Sequence, residues 1–364
     1  MKPFAQNNLM TKIAELEQLE TSTQDTYTLK SKVLIRACEK NGLISSVKNM
    51  VAILEGMIQE KRITRSTARL YKSALLNRIV HEAQQAIDKG ESIESYMHNY
   101  ENADKINTRI AASHSTQTSA LKLKRFPDDL IPKLEKLNLT DNRFKNLTFV
   151  LLFLKANLLV GLRPVEWANT SIFSYIDKPG TVKKGTKTTP ALVVSNAKAT
   201  HGRGNGIERD IIFNAITVEE LGDILQFSKL MQTHLNGLYG EQRRKRAEDI
   251  FTNAQQTLNR ALKSIKYPIT KRPTLYSTRH QCIANAKSAN LTDIEIAALF
   301  GHKTTETARI HYGKKVHGSG RVVIKPSNES IQMVKEQLLK EVANDLELRN
   351  ESAEFAERWL KSKF

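Results

Sequence analysis

Cysteine is nearly absent from this sequence: Cys38 and Cys282 are the two in 364 residues. Far apart and alone, they make neither a disulfide framework nor a metal site by spacing, and this points to a reducing cytoplasm. Long apolar runs are missing too. The most apolar stretch, Leu147 to Leu162, is interrupted by Lys155 and Asn157. It is too short and too polar to span a bilayer and predicts a buried core helix instead. The opening MKPFAQNNLM lacks the apolar core of a secretion signal, so no membrane association is expected. There is no internal repeat and no low-complexity tract. Acidic residues are in deficit, with 38 Asp and Glu against 56 Lys and Arg, a formal net charge of +18. An excess of that size points to a polyanionic partner, nucleic acid first, rather than to a basic but inert surface.

What is present divides the chain into two domains joined by a linker. Residues 1–112 read as helical, with apolar residues at helical spacing over Leu9 to Leu19, Leu29 to Cys38 and Ile44 to Ile58. The run from Thr64 to Ser73 is basic and rich in hydroxyls. On a helix it would set Arg65, Arg69 and Lys72 against DNA phosphates or base edges. Apolar periodicity fades over 113–125, where serines and threonines cluster ahead of Lys122, Lys124 and Arg125. That composition predicts a basic linker able to track a DNA backbone. The second domain, 126–364, opens with helices near Pro127 to Leu137 and Arg143 to Val160. A strand pair follows, Ala191 to Val194 and Ile211 to Phe213, around the turn-rich segment Thr200 to Gly206. Thr217 with Glu220 and Thr292 with Glu295 are capping boxes that open helices. A short β-like run covers Arg321 to Ile324. Beyond Ser327 the spacing predicts one or two amphipathic helices, packed on this domain or on a neighbouring copy. The fold class is mainly α with a small β-sheet, α+β.

Four polar residues stand in local contexts that suit a DNA phosphate: Arg163 in Gly161-Leu162-Arg163-Pro164, Arg279 in Tyr276-Ser277-Thr278-Arg279, His302 after Gly301, and Tyr312 before Gly313. Phosphodiester cleavage without a metal needs positive charge on the nonbridging oxygens, a deprotonated nucleophile and a proton for the leaving oxygen. Two arginines from distant segments suit the first requirement, because a guanidinium stays charged and pairs with two oxygens at once. A phenol flanked by cations suits the second. Gly161 permits a turn, Pro164 fits the first turn of the next helix, and Glu166 is placed to hold Arg163. Tyr312, followed by glycine and two lysines, does not read as a core residue.

The ordered set Arg163, Arg279, His302 and Tyr312 resembles the tyrosine recombinase (phage integrase) family. The resemblance implies a helical core-type DNA-binding domain followed by a catalytic domain, the two forming a clamp around duplex DNA. It implies that Tyr312 attacks a phosphate held by Arg163, Arg279 and His302 to give a 3′-phosphotyrosine. The family's leaving-group lysine corresponds to Lys198, with Arg203 as the fallback. Tyr276 stands where the family usually has histidine, which leaves open how Tyr312 loses its proton. The resemblance further implies a homotetramer on paired sites, a Holliday junction, integration or excision of a mobile element, no cofactor and no metal, and an accessory DNA-bending protein in some systems. Two alternatives remain: a topoisomerase-like or telomere-resolving enzyme, and a sequence-specific DNA-binding protein without catalysis.

Overall fold

The computed structural model describes residues 9–14, 21–112, 125–175, 189–197, 206–269, 272–302 and 304–347. The chain divides into two compact units, Met1–Leu121 and Lys122–Phe364. Among the described residues it is mainly helical with one four-stranded antiparallel sheet. Among the described residues, no helix is long and apolar enough to cross a membrane.

The first unit is built from α1 (Thr21–Lys40), α2 (Val47–Gln59), α3 (Arg65–Asp88) and α4 (Glu94–Asp104). Ser46 and Thr64 cap α2 and α3, their side chains accepting from the amides of Asn49 and Thr67. Each cap satisfies one amide left orphaned by the first helical turn. Val47, Met50, Leu54 and Ile58 recur every three or four residues and bury the inner face of α2. They pack with Leu34 and Cys38 of α1 and with Ala68, Leu75 and Ile79 of α3.

The second unit begins with α5 (Leu130–Thr140) and α6 (Leu147–Val160), then a 3-10 turn over Pro164–Asn169. The helix expected from Arg143 starts only at Leu147, because Asp141 and Arg143 pair with each other in the connecting turn. Strands β1 (Thr170–Tyr175), β2 (Thr189–Ser195), β3 (Glu208–Phe213) and β4 (Ile324–Pro326) lie side by side in that order. The expected strand pair is the middle of this sheet, with Ala191 opposite Ile212. Strand β1 was not legible, because TSIFSY alternates only weakly between apolar and polar. The β-like run placed at 321–324 lies further on, where Pro326 fits an edge strand that needs fewer ladder donors.

Helices α7 (Val218–His234), α8 (Gly240–Ser264), α9 (Ser277–Ser288), α10 (Asp293–Phe300), α11 (Glu306–His311) and α12 (Asn328–Glu347) complete the unit. Phe153 of α6, Phe227 of α7 and Phe251 of α8 meet edge to face, and Trp167 meets Phe227 at 4.8 Å between centroids. This aromatic centre fixes α6, and hence the turn that follows it. Helix α12 packs on its own unit: Ile331, Val334 and Leu338 lie against Ile294, Ala297 and Ala298 of α10. The remainder of the expected C-terminal helical segment, 348–364, lies outside the described residues.

Candidate active site

Three chain segments deliver the site, and each is stopped or turned at a defined residue. Helix α6 ends at Gly161, which is left-handed at φ +63°. A Cβ there would lie 2.6 Å from Phe300 Cε1 and 2.8 Å from Cys282 Cβ, so both the torsion and the space require glycine. Helix α10 ends at Gly301, also left-handed, where a Cβ would press on Asn196 and lie 2.9 Å from Arg209 Nη1. The capping boxes expected at Thr217 and Thr292 are present and complete. Asn157, which interrupts the apolar run of α6, is buried and ties three elements together. It accepts from Trp167 Nε1 at 2.9 Å and donates to the Leu162 carbonyl at 3.0 Å and Thr278 Oγ1 at 2.7 Å.

Arg163 is the N-cap of the 3-10 turn, and Glu166 closes back onto it. The Arg163 amide donates to Glu166 Oε2 at 2.9 Å and its Nη1 donates to Oε1 at 2.6 Å. Far from being a solvated surface pair, Glu166 is 1 % exposed and serves three guanidiniums. Arg209 Nη2 donates to Oε2 at 2.8 Å, and Arg279 Nη1 lies 3.8 Å from the same oxygen. One carboxylate against three arginines leaves the cluster net positive. Burial opposes ionisation of Glu166, but Arg209, Arg163 and Arg279 outweigh it and hold the carboxyl well below its ordinary range.

Arg279, at the start of α9, is wholly buried. Its Nη1 donates to the Gly161 carbonyl at 2.9 Å and its Nη2 to the Phe300 carbonyl at 2.6 Å, so it bridges the ends of α6 and α10. Nη2 also lies 3.1 Å from His302 Nε2, and Nε donates to Tyr312 Oη at 3.3 Å. Arginine has no acceptor, so His302 Nε2 must accept and the proton of a neutral ring sits on Nδ1. Burial, then Arg279, Arg163 and Arg209, push the proton affinity of His302 far down, which keeps the ring neutral. Among the described residues, His302 Nδ1 and Arg163 Nε have no hydrogen-bond partner although both are buried.

Tyr312 follows α11 and is 9 % exposed, contrary to the expectation that it lies outside the core. Residues at the start of α9 and just past the end of α10 enclose it. Its ring stacks on His302 at 5.0 Å and 29°, meets His280 at 5.0 Å, and lies 5.5 Å from the Arg279 guanidinium. Its hydroxyl is 2.7 Å from that of Tyr276. Burial raises the pKa of Tyr312, but the charge of Arg279 and the hydrogen bond with Tyr276 win, and the net direction is down. Tyr276 moves the opposite way, to about 12, chiefly through burial.

The structure thus brings Arg163, Glu166, Tyr276, Arg279, His302 and Tyr312 together. Lys198, Arg203, Lys122 and Lys124 lie outside the described residues. Arg65 and Arg69 are exposed on one face of α3. Lys72 is less available than expected: it is paired to Asp104 at 3.0 Å and donates to that residue's carbonyl. Arg125 is likewise paired to Asp128 at 2.5 Å, with both side chains exposed.

Sequence reading missed Arg209, the second fully buried guanidinium. It donates to the Leu299 carbonyl at 2.9 Å and to Asn196 Oδ1, joining β3 to the end of α10 and to Glu166. The available signal was alternation along β3, where Arg209, Ile211 and Phe213 share the buried face. Among the described residues, no group of three His, Cys, Asp or Glu could hold a metal ion. A scan against protein-family models finds no match for this chain, and a search of curated proteins finds none.

Proposed function

We propose that this chain cuts and rejoins duplex DNA through a covalent bond between Tyr312 and a 3′-phosphate, as a site-specific recombinase of the tyrosine type. The observation that carries the reading is the environment of the Tyr312 hydroxyl. A phenol is held by Arg279 Nε and Tyr276 Oη beside two buried donors, Arg163 Nε and His302 Nδ1, that have no partner among the described residues. Buried unsatisfied donors cost free energy unless something accepts from them. A phosphate oxygen is an acceptor of the right charge, and a net +18 chain favours a polyanion that carries it.

In this reading Tyr312 Oη attacks phosphorus and the bond from phosphorus to the 5′-oxygen breaks. That oxygen takes a proton, for which Lys198 is the proposed source. Arg163, Arg279 and His302 hold the nonbridging oxygens as charge builds on them. The phosphotyrosine conserves the phosphodiester bond energy, so a 5′-hydroxyl of a partner strand can reverse the attack without ATP. Exchange between two sites requires four protomers, and we assign this chain to a homotetramer on paired sites, with integration or excision of a mobile element as its role. An accessory DNA-bending protein belongs to the same proposal.

The test is covalent capture. The full chain is incubated with nicked fragments of its source genome, denatured, and the attached DNA is sequenced for wild type and Tyr312→Phe. Adducts at one repeated site, lost in Tyr312→Phe, are the expected result. Scattered adducts would replace the recombinase reading with a topoisomerase-like one. Absence of any adduct while DNA binding persists would leave a DNA-binding protein without cleavage.

A further inference from the structure

We propose that Tyr276 is a hydrogen-bond donor to the Tyr312 oxygen, and that it promotes attack by stabilising the phenolate rather than by taking the proton as a base. The inference rests on the strand-transfer reading for its role, but its geometry belongs to the free protein.

The two hydroxyls are 2.7 Å apart, and their rings are 6.3 Å apart and inclined by 30°. Either oxygen can donate in principle. The decision comes from the third group: Arg279 Nε sends an N–H to Tyr312 Oη at 3.3 Å. A guanidinium cannot accept, so the Tyr312 oxygen is already an acceptor beside a permanent cation. Once Tyr312 has lost its proton its oxygen can only accept, so Tyr276 donates to it and the phenolate has two donors. The opposite shifts of the two phenols agree with this polarity.

The arginines, His302, Glu166 and Tyr276 itself are not arranged to act as the base. From α9 come Arg279, His280 and, at its N-cap, Tyr276; from the end of α10 comes His302; from the turn after α6 comes Arg163. Both arginines are permanently charged. His302 already accepts through Nε2 and would become a fourth cation if protonated. His280 meets Tyr312 ring to ring, at 5.0 Å. Glu166 behind Arg279 is held ionised by three guanidiniums. Tyr276 itself is no base near neutral pH. The site therefore lowers the cost of removing the proton without Tyr276 taking it, and the proton leaves to solvent.

The test uses the full chain labelled with carbon-13 at the tyrosine Cζ, titrated by NMR. Tyr312→Phe assigns the resonance, and Tyr276→Phe removes one hydroxyl while keeping the stacked ring. In wild type, Tyr312 is expected to titrate below the ordinary tyrosine value of about 10. In Tyr276→Phe the midpoint should rise by about one to two pH units, the size of one hydrogen bond to a charged group. An unchanged midpoint, or Tyr276 ionising before Tyr312, would overturn the proposal.

The functional arm is the pH dependence of adduct formation. Tyr276→Phe should lose about tenfold or more near neutral pH, with the gap closing in alkali once both proteins carry a phenolate. A loss equal at every pH would make Tyr276 merely structural and overturn its role. If the NMR shift is found but no DNA forms an adduct, the strand-transfer reading fails and the donor assignment stands.

Discussion

Replacing Glu166 with glutamine keeps its shape and removes its charge, which makes it a direct probe of the arginine cluster. In the native site the carboxylate lies 2.6 Å from Arg163 Nη1, 2.8 Å from Arg209 Nη2 and 3.8 Å from Arg279 Nη1, and the Arg209, Arg279 and Glu166 side chains have no exposure. Glu166→Gln leaves three guanidiniums facing one another without a counter-charge. Breaking a buried pair on one side costs about 3–5 kcal/mol, against a total stability on the order of 5–15 kcal/mol for a domain. Urea unfolding should therefore show a large drop in midpoint at unchanged slope. Adding Arg209→Met should return part of the loss, because it removes one of the unbalanced charges.

The pH dependence has a definite sign. The folded pKa of Glu166 is depressed, so its contribution is complete above the unfolded value of about 4.3 and disappears as pH falls toward the folded one. The gap between wild type and Glu166→Gln should be flat above pH ~5 and narrow below pH ~4. A loss under about 1 kcal/mol, the value of a surface pair, or a gap that widens in acid, would refute the buried-hub account.

Other substitutions probe the supports of the site. Gly161→Ala forces a side chain into a left-handed turn against Phe300 and Cys282; it should cost about 1–3 kcal/mol in thermal or urea unfolding, and a neutral result would contradict the packing described. Asn157→Leu strands Trp167 Nε1 and takes a donor from the Leu162 carbonyl and from Thr278 Oγ1, which keeps its own bond to the Leu275 carbonyl, at a cost of about 1–3 kcal/mol for the buried orphan, measured in the same way. Arg163→Ala, at the edge of the cluster, should reduce adduct formation by about 10²–10³-fold while filter-binding affinity for DNA changes little; a mild effect on cleavage would remove Arg163 from the phosphate clamp. Tyr276→His keeps a donor at that position and should retain adduct formation, with any new inflection in its rate profile below the ordinary histidine value of about 6.5, since burial and the same arginines that keep His302 neutral act there too.

Much of this arrangement was legible because it is encoded locally. The Thr217–Glu220 and Thr292–Glu295 boxes, the stops at Gly161 and Gly301, and the bond from Glu166 back to Arg163 all span a few residues. The alternation of β2 and the core of β3 exposed the middle of the sheet, whereas polar β1 and the short edge strand β4 carried no such pattern. The candidate site was readable as a set of residue types but not as a geometry. A charge on the buried face of β3 defeats hydrophobic patterning, so Arg209 was passed over. The burial of Tyr312 arises from packing against the start of α9, 33 to 36 residues earlier, and against His302, and the residue types alone do not show it. Lys72 looked available because Asp104, its partner, lies 32 residues away.

The central claim is a bond between one oxygen and one phosphorus, and mass spectrometry tests it most directly. Protein trapped on DNA would be digested with nuclease and protease, and the nucleotide-bearing peptide fragmented. The account predicts a nucleotide joined through its 3′-phosphate to Tyr312, absent from Tyr312→Phe. Attachment to Tyr276 or another residue, or linkage through a 5′-phosphate, would contradict it.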